Sequence, residues 1–118
     1  RRVLFRSHII RRKGENLSGA EIDNAISSHP DVSECAAIGV PSELGDEEVL
    51  VAVVPRKDAN PSPEDIMKHA KIHLSALKLP RYIVMVDNLP HTGSMKIAKF
   101  KLKPATDLLR RATDFSTP

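Results

Sequence analysis

Apolar positions along this chain change period from one stretch to the next. Ile22, Ala25 and Ile26 recur at helical spacing behind Ser18 and Glu21, which stand three apart as a capping box. A helix is therefore expected from Ser18 to a stop at Ser28-His29, ahead of Pro30. Two short apolar runs follow, Glu34 to Val40 and Val49 to Pro55, separated by the polar loop Pro41 to Glu48; they predict neighbouring antiparallel strands. After the polar loop Arg56 to Pro61, Ser62-Pro63-Glu64-Asp65 supplies an N-cap, a first-turn proline and first-turn acids for a second helix. Its inner face is Ile66, Ala70, Leu74 and Leu77, and it ends before Pro80. Tyr82 to Val86 reads as a buried strand, and His8 to Arg12 as a first strand running into the turn Lys13-Gly14-Glu15-Asn16. The loop Asn88 to Met95 leads into a basic segment, Lys96 to Lys103, and Thr113 to Pro118 is expected to be a loose tail. The order strand, helix, strand, strand, helix, strand predicts an α+β fold, a small mainly antiparallel sheet with helices packed on it.

Composition changes this picture little. At 118 residues, with 41% apolar and 28% charged, the chain has material for one soluble core. Three Phe, one Tyr and no Trp leave that core to Ile, Val, Leu and Ala, and weigh against nucleic-acid binding by base stacking. The net charge of +3 is mild, but basic residues gather at Arg11-Arg12-Lys13 and from Lys96 to Lys103, which suggests an anionic partner; a small basic RNA-binding module is the alternative on charge alone. Cys35 is the only cysteine, so no internal disulfide forms. No apolar run reaches membrane-spanning length, and a cytoplasmic location is expected. Residues 1–7, RRVLFRS, do not share the pattern and coincide with a translated frame of a sequencing-library adapter; they are expected to be a non-native leader on a fragment lacking its upstream part.

Several side chains are candidates for chemistry. Lys96 ends a loop rich in Gly, Ser and Thr and can reach outward, its ammonium suited to phosphate or carboxylate oxygens; on composition alone it is a surface lysine. His69 and His73 stand four apart on the second helix, but no third ligand has suitable spacing, so no metal site is expected. Glu43, Asp46, Glu47 and Glu48 read as solubilising charges of a hairpin loop, and Cys35 as a small buried hydrophobe.

The segment Leu89-Pro90-His91-Thr92-Gly93-Ser94-Met95-Lys96-Ile97 resembles the closing signature of acyl-CoA synthetases and other adenylate-forming enzymes, Pro-x-Thr-x-Ser/Thr-Gly-Lys-Ile/Val followed by a basic residue. Pro90, Thr92, Ser94, Lys96, Ile97 and Lys99 match it; Met95 replaces the usual glycine, as in some long-chain relatives, and reduces local flexibility. Further blocks fall in the same order: Arg12 to Ser18, His29-Pro30-Asp31-Val32, Ala36 to Pro41, Gly45-Asp46-Glu47 and Lys78 to Tyr82. The resemblance covers His8 to about Leu102. The look of Gly14-Glu15-Asn16 and of Pro41 to Gly45 is nearest to bacterial carnitine, crotonobetaine and medium-chain acid ligases.

The resemblance implies the C-terminal domain of an ATP-dependent carboxylate-CoA ligase, with residues 8–103 as that domain and 104–118 as a helix remnant and tail. It implies that Lys96 serves adenylation of a small carboxylic acid. The domain then rotates, so that the turn at Gly14 lines the path of the coenzyme A arm. Arg11, Arg12, Lys13, Glu15 and Lys71 fall where contacts to coenzyme A are implied, each also readable as a solvated charge. ATP and Mg²⁺ would be held chiefly by an N-terminal adenylation domain, the implied partner, and no hinge role is carried onto Ser7 in the leader. A carrier-protein thiol in place of coenzyme A stays open.

Overall fold

The computed structural model describes residues 9–12, 14–42, 45–93, 96–102 and 106–115. The leader at 1–7, with Lys13, Glu43, Ser94, Met95, Lys103 and residues 116–118, lies outside the described residues.

The long strands β3 (Val32–Pro41) and β4 (Glu47–Pro55) pair antiparallel along their whole length, as their apolar runs predict. β5 (Tyr82–Met85) joins β4 in parallel. The parallel pairing follows from the crossover through α2 (Pro63–His73), which returns the chain to the start of the sheet before it runs forward again. β6 (Thr113–Asp114) closes the order β3-β4-β5-β6. The sheet is thus mixed but mainly antiparallel. The tail is not loose where it is described. Thr113 and Asp114 pair with Ile83 and Tyr82, Phe115 N–H donates to the Arg81 carbonyl at 2.7 Å, and the Asp114 carboxylate meets the Arg81 guanidinium at 3.2 Å. Two polar residues carry no strand pattern, so this pairing is set by tertiary contacts.

Both faces of the sheet are buried, which is why β3 and β4 read as continuous apolar runs rather than alternating ones. Cys35, Ala37, Val49, Val51, Val53 and Ile83 face α1 (Gly19–Ser27) and α2, where Ile22, Ile26, Ile66 and Ala70 pack against them. Ala36, Ile38, Val40, Leu50, Ala52 and Val84 face the other way, beneath Ile97, Leu102, Leu108 and Leu109 from the segment that contains α3 (Thr106–Arg111). Val32 breaks the parity and joins the helical face, because a bulge between Val32 and Glu34 inserts an extra residue and reverses the alternation.

The caps follow their signals in part. Ser62 Oγ accepts from Asp65 N–H at 3.1 Å, and the Asp65 carboxylate returns to Ser62 N–H, a complete capping box with Pro63 in the first turn. Ser18 Oγ accepts from Glu21 N–H, but the Glu21 carboxylate goes to Lys78 Nζ at 2.8 Å. The second helix stops at His73, and Leu77 reaches the core from the 3-10 turn Ala76–Lys78 instead of from the helix. β1 (Ile9–Arg12) and β2 (Glu15–Ser18) form a hairpin that the polar β2 sequence conceals; Leu17 alone is buried in β2. No helix among the described residues is long and apolar enough to cross a membrane.

His69 docks the end of α1. Its Nε2 lies 2.7 Å from Ser28 Oγ, and its ring packs against those of His29 and His73 at 5.0 and 4.6 Å between centroids. Among the described residues no group of His, Cys, Asp or Glu is arranged to hold a metal ion. Partial burial, then the neighbouring His73 and His29, holds His69 below its ordinary pKa of 6.5. The fold therefore favours the neutral ring. Its contribution to stability is complete above pH 6.5 and declines as the pH falls below that value, where the unfolded chain takes up the proton first. Thermal melts from pH 7.5 to 5 should show a falling Tm, and His69→Gln should flatten that slope.

Candidate functional site

Lys96 is exposed on a narrow excursion whose base is closed by backbone pairing. Thr92 N–H donates to the Lys96 carbonyl at 2.7 Å, Ala98 N–H donates to the Pro90 carbonyl at 2.8 Å, and His91 bridges to Ile97. Two side-chain contacts fix this base to the rest of the fold. His91 Nε2 lies 2.6 Å from the Glu34 carboxylate near the start of β3. Lys99, three residues beyond Lys96, is only 8% exposed and places Nζ 2.7 Å from Asp23 Oδ2 on α1. Asp23 is a junction. Its other oxygen accepts from Ala37 N–H of β3 at 2.7 Å, and its carbonyl accepts from the Cys35 thiol at 3.3 Å. Lys99, which the sequence groups with an outward basic cluster, thus turns inward as an anchor for the segment carrying Lys96.

Cys35 is buried as expected. Burial and the nearby Asp23 push its thiol up to about 12, so it stays protonated and serves packing.

The Gly14 turn is held at the other end of the β3–β4 ribbon. Gly14 has φ +81°, a left-handed conformation that by itself favours glycine, and a Cβ placed there would meet nothing within 4 Å, so the surface above it is open. Three successive acids grip this hairpin. Gly14 N–H donates to Asp46 Oδ2 at 3.0 Å, Arg11 N–H donates to Glu47 Oε1 at 3.0 Å, and the Arg12 guanidinium lies 2.9 Å from Glu48 Oε1. These carboxylates do structural work that a reading of them as solubilising charges misses; only Glu48 meets a basic side chain, and the backbone N–H groups taken by Asp46 and Glu47 leave no signal in residue type.

The implied coenzyme A contacts are divided by this geometry. Gly14 and Glu15 are exposed, as is Arg11, whose guanidinium also donates to Asn16 Oδ1 at 3.1 Å. Arg12 is turned into the fold: besides Glu48, its Nη1 donates to the Leu77 and Leu79 carbonyls, each at 2.8 Å. Arg81 joins the same Glu48 at 3.8 Å. Lys71 is exposed on α2, and Lys13 lies outside the described residues.

Glu34, which holds the Lys96 excursion, pairs across from Val54, whereas Glu47, which holds the Gly14 hairpin, pairs with Pro41. Seven positions of antiparallel strand, at about 3.4 Å each, put these two anchors roughly 24 Å apart on one rigid ribbon. Removing Asp23 should show how firmly the second contact under Lys96, that of Lys99, is built. Asp23→Ala strands the buried Lys99 ammonium and should cost about 3 kcal/mol in chemical denaturation, and Lys99→Met in the same chain should restore much of it.

Known proteins resemble this chain in sequence and in fold. Residues 21–96 match the family described as AMP-binding enzyme C-terminal domain. An oxalate-CoA ligase of Arabidopsis thaliana is 43% identical over 91 residues, covering 77% of this chain and 18% of the ligase. The mitochondrial medium-chain acyl-CoA ligase ACSF2 of Bos taurus is 38% identical over 95 residues, covering 80% of this chain and 15% of its own length. Among solved structures, a fatty acyl CoA synthetase of Mycobacterium tuberculosis superposes with a TM-score of 0.76 at 32% identity, over 83% of this chain and 19% of that one. The chain therefore spans less than a fifth of the curated relatives it matches. With the family matched across most of the described residues and the mixed sheet shared with those synthetases, the chain belongs to the AMP-binding enzyme C-terminal domain family.

Proposed function

We propose that this domain serves an ATP-dependent carboxylate-CoA ligase and works in two orientations against an N-terminal adenylation domain. The observation that carries this reading is the separation of its two candidate faces. Lys96 and the Gly14 turn are anchored roughly 24 Å apart on a single ribbon, so one partner site meets only one of them at a time. A rigid domain with two useful ends must turn to use both.

In the first orientation, the exposed ammonium of Lys96 approaches the carboxylate and the α-phosphate. Its positive charge there offsets the negative charge that develops as the acyl-adenylate forms and pyrophosphate leaves. ATP would supply the adenylyl group that the carboxylate takes up as pyrophosphate leaves, and Mg²⁺ would be held with its phosphates on the partner domain. In the second orientation, the open surface over Gly14 receives the pantetheine arm of coenzyme A, whose thiol takes the acyl group and releases AMP. Arg11, Lys13 and, farther along the chain, Lys71 are the residues we assign to the anionic nucleotide end, Glu15 lies beside Gly14 on the path of the pantetheine arm, and Arg12 supports them from within. A cytoplasmic setting is part of the proposal.

The test uses the full-length enzyme that carries this domain. Lys96→Ala should lower adenylate formation, read as pyrophosphate exchange, by about 10²–10³-fold, the range seen for removal of one charge-stabilising donor. Gly14→Leu should spare that exchange and slow thioester formation. Equal loss of both half-steps in both variants would sink the two-face assignment.

A further inference from the structure

We propose that Asp46 and Glu47 are positioning residues for the thioester-forming step, acting through the backbone of the Gly14 turn. The proposal rests on the reading of that turn as the coenzyme A face and adds how it is held in place. Neither carboxylate needs to touch a ligand. Each accepts from a main-chain N–H on the hairpin, Asp46 from Gly14 and Glu47 from Arg11, both at 3.0 Å.

The case begins with a glycine far from the turn in sequence. Gly39 lies in β3, pairs with Val49, and has no need of an unusual φ. A Cβ on Gly39 would stand 2.5 Å from Glu47 Oε1 and 2.6 Å from its carboxyl carbon, closer than real contacts allow. The missing methyl is the seat of the Glu47 carboxylate. From that seat, the same Oε1 reaches Arg11 N–H, on the strand that leads into the turn.

Asp46 is aimed by a second device. Gly45 adopts φ +96°, and the loop closes through Ser42 N–H to the Asp46 carbonyl at 2.9 Å and Gly45 N–H to the Ser42 carbonyl at 3.3 Å. This delivers Asp46 to the Gly14 amide at the moment the chain enters β4. Both carboxylates are therefore built from the ribbon, and both end on backbone donors of the hairpin. Carboxylate acceptors on backbone amides are among the stronger neutral-donor hydrogen bonds. Ile10, Leu17 and the Arg12 guanidinium hold the strands of the hairpin, and the ties at Arg11 N–H and Gly14 N–H fix the backbone of the turn itself, so that it moves with the sheet as one body. A ligand path lined by such a turn keeps its width when the domain rotates, and displacement by about 1 Å is enough to cost on the order of 10²-fold in rate.

The experiment pairs a structural readout with a kinetic one. In the 118-residue chain, amide hydrogen exchange at Gly14 should quicken in Asp46→Ala, and exchange at Arg11 should quicken in Gly39→Ala, where the new methyl displaces Glu47. In the full-length enzyme, both variants should slow thioester formation by tenfold or more, with a raised KM for coenzyme A, while pyrophosphate exchange stays within about twofold. Asp46→Asn keeps an acceptor oxygen and should recover most of the thioester rate. Unchanged exchange at Gly14 in Asp46→Ala overturns the clasp. Faster exchange with an unchanged thioester rate, or no recovery in Asp46→Asn, overturns its positioning role. Gly14→Leu separates the two levels: if it slows thioester formation while Asp46→Ala does not, the clasp alone fails. If Gly14→Leu leaves that step intact, the assignment of the coenzyme A face fails and the clasp's role with it.

Discussion

Pairing of β3 with β4, from Val32 opposite Pro55 to Pro41 opposite Glu47, is the constraint on which the other elements depend. Because apolar side chains cover both faces, a slip of one residue would exchange the helical face for the opposite one, and the core would lose its fit on both sides at once. The bulge near Ser33 is tolerated only at the ribbon's end, where it turns Val32 toward the helices. The strand carboxylates that anchor the candidate loops, Glu34, Asp46, Glu47 and Glu48, are set at or next to an end of this pair, while Asp23 ties Lys99 to its middle at Ala37.

Charged groups carry out the second level of organisation. Asp23 with Lys99, His91 with Glu34, and the chain Arg12, Glu48, Arg81 and Asp114 each join elements distant in sequence. Such partly buried pairs contribute little net stability, because desolvation offsets most of the attraction, but they are costly to break singly. Their value lies in geometry. They fix loops that apolar packing alone would leave with several equivalent seats.

The elements that depend on local chemistry were legible from the sequence. Ser62, Pro63 and Asp65 announce a helix start through their own hydrogen-bonding capacity, and the runs at Glu34–Val40 and Val49–Pro55 announce buried strands. The family blocks pointed to Lys96 and Gly14. What stayed hidden are features whose cause lies elsewhere in the fold. Lys99 sits between Ala98 and Phe100 in a basic run, and nothing nearby in the chain shows that Asp23 will meet it. Arg12 looks identical to Arg11 until the Leu77 and Leu79 carbonyls draw it inward. Glu15–Ser18 is a strand because β1 lies beside it, and the space left beside Gly39 is taken by the Glu47 carboxylate from the next strand.

The short strand β6 has a consequence beyond ending the sheet. β5 contributes Ile83 and Val84 to the two faces, and Thr113 and Asp114 occupy its outer side by pairing with Ile83 and Tyr82. Stripped of that cover, β5 would present open hydrogen-bonding groups flanked by apolar side chains, a template for another chain's strand. Two polar residues and the Arg81–Asp114 contact thus act as a guard against edge-to-edge aggregation, and trimming the chain before Thr113 would leave the domain more prone to strand-to-strand association.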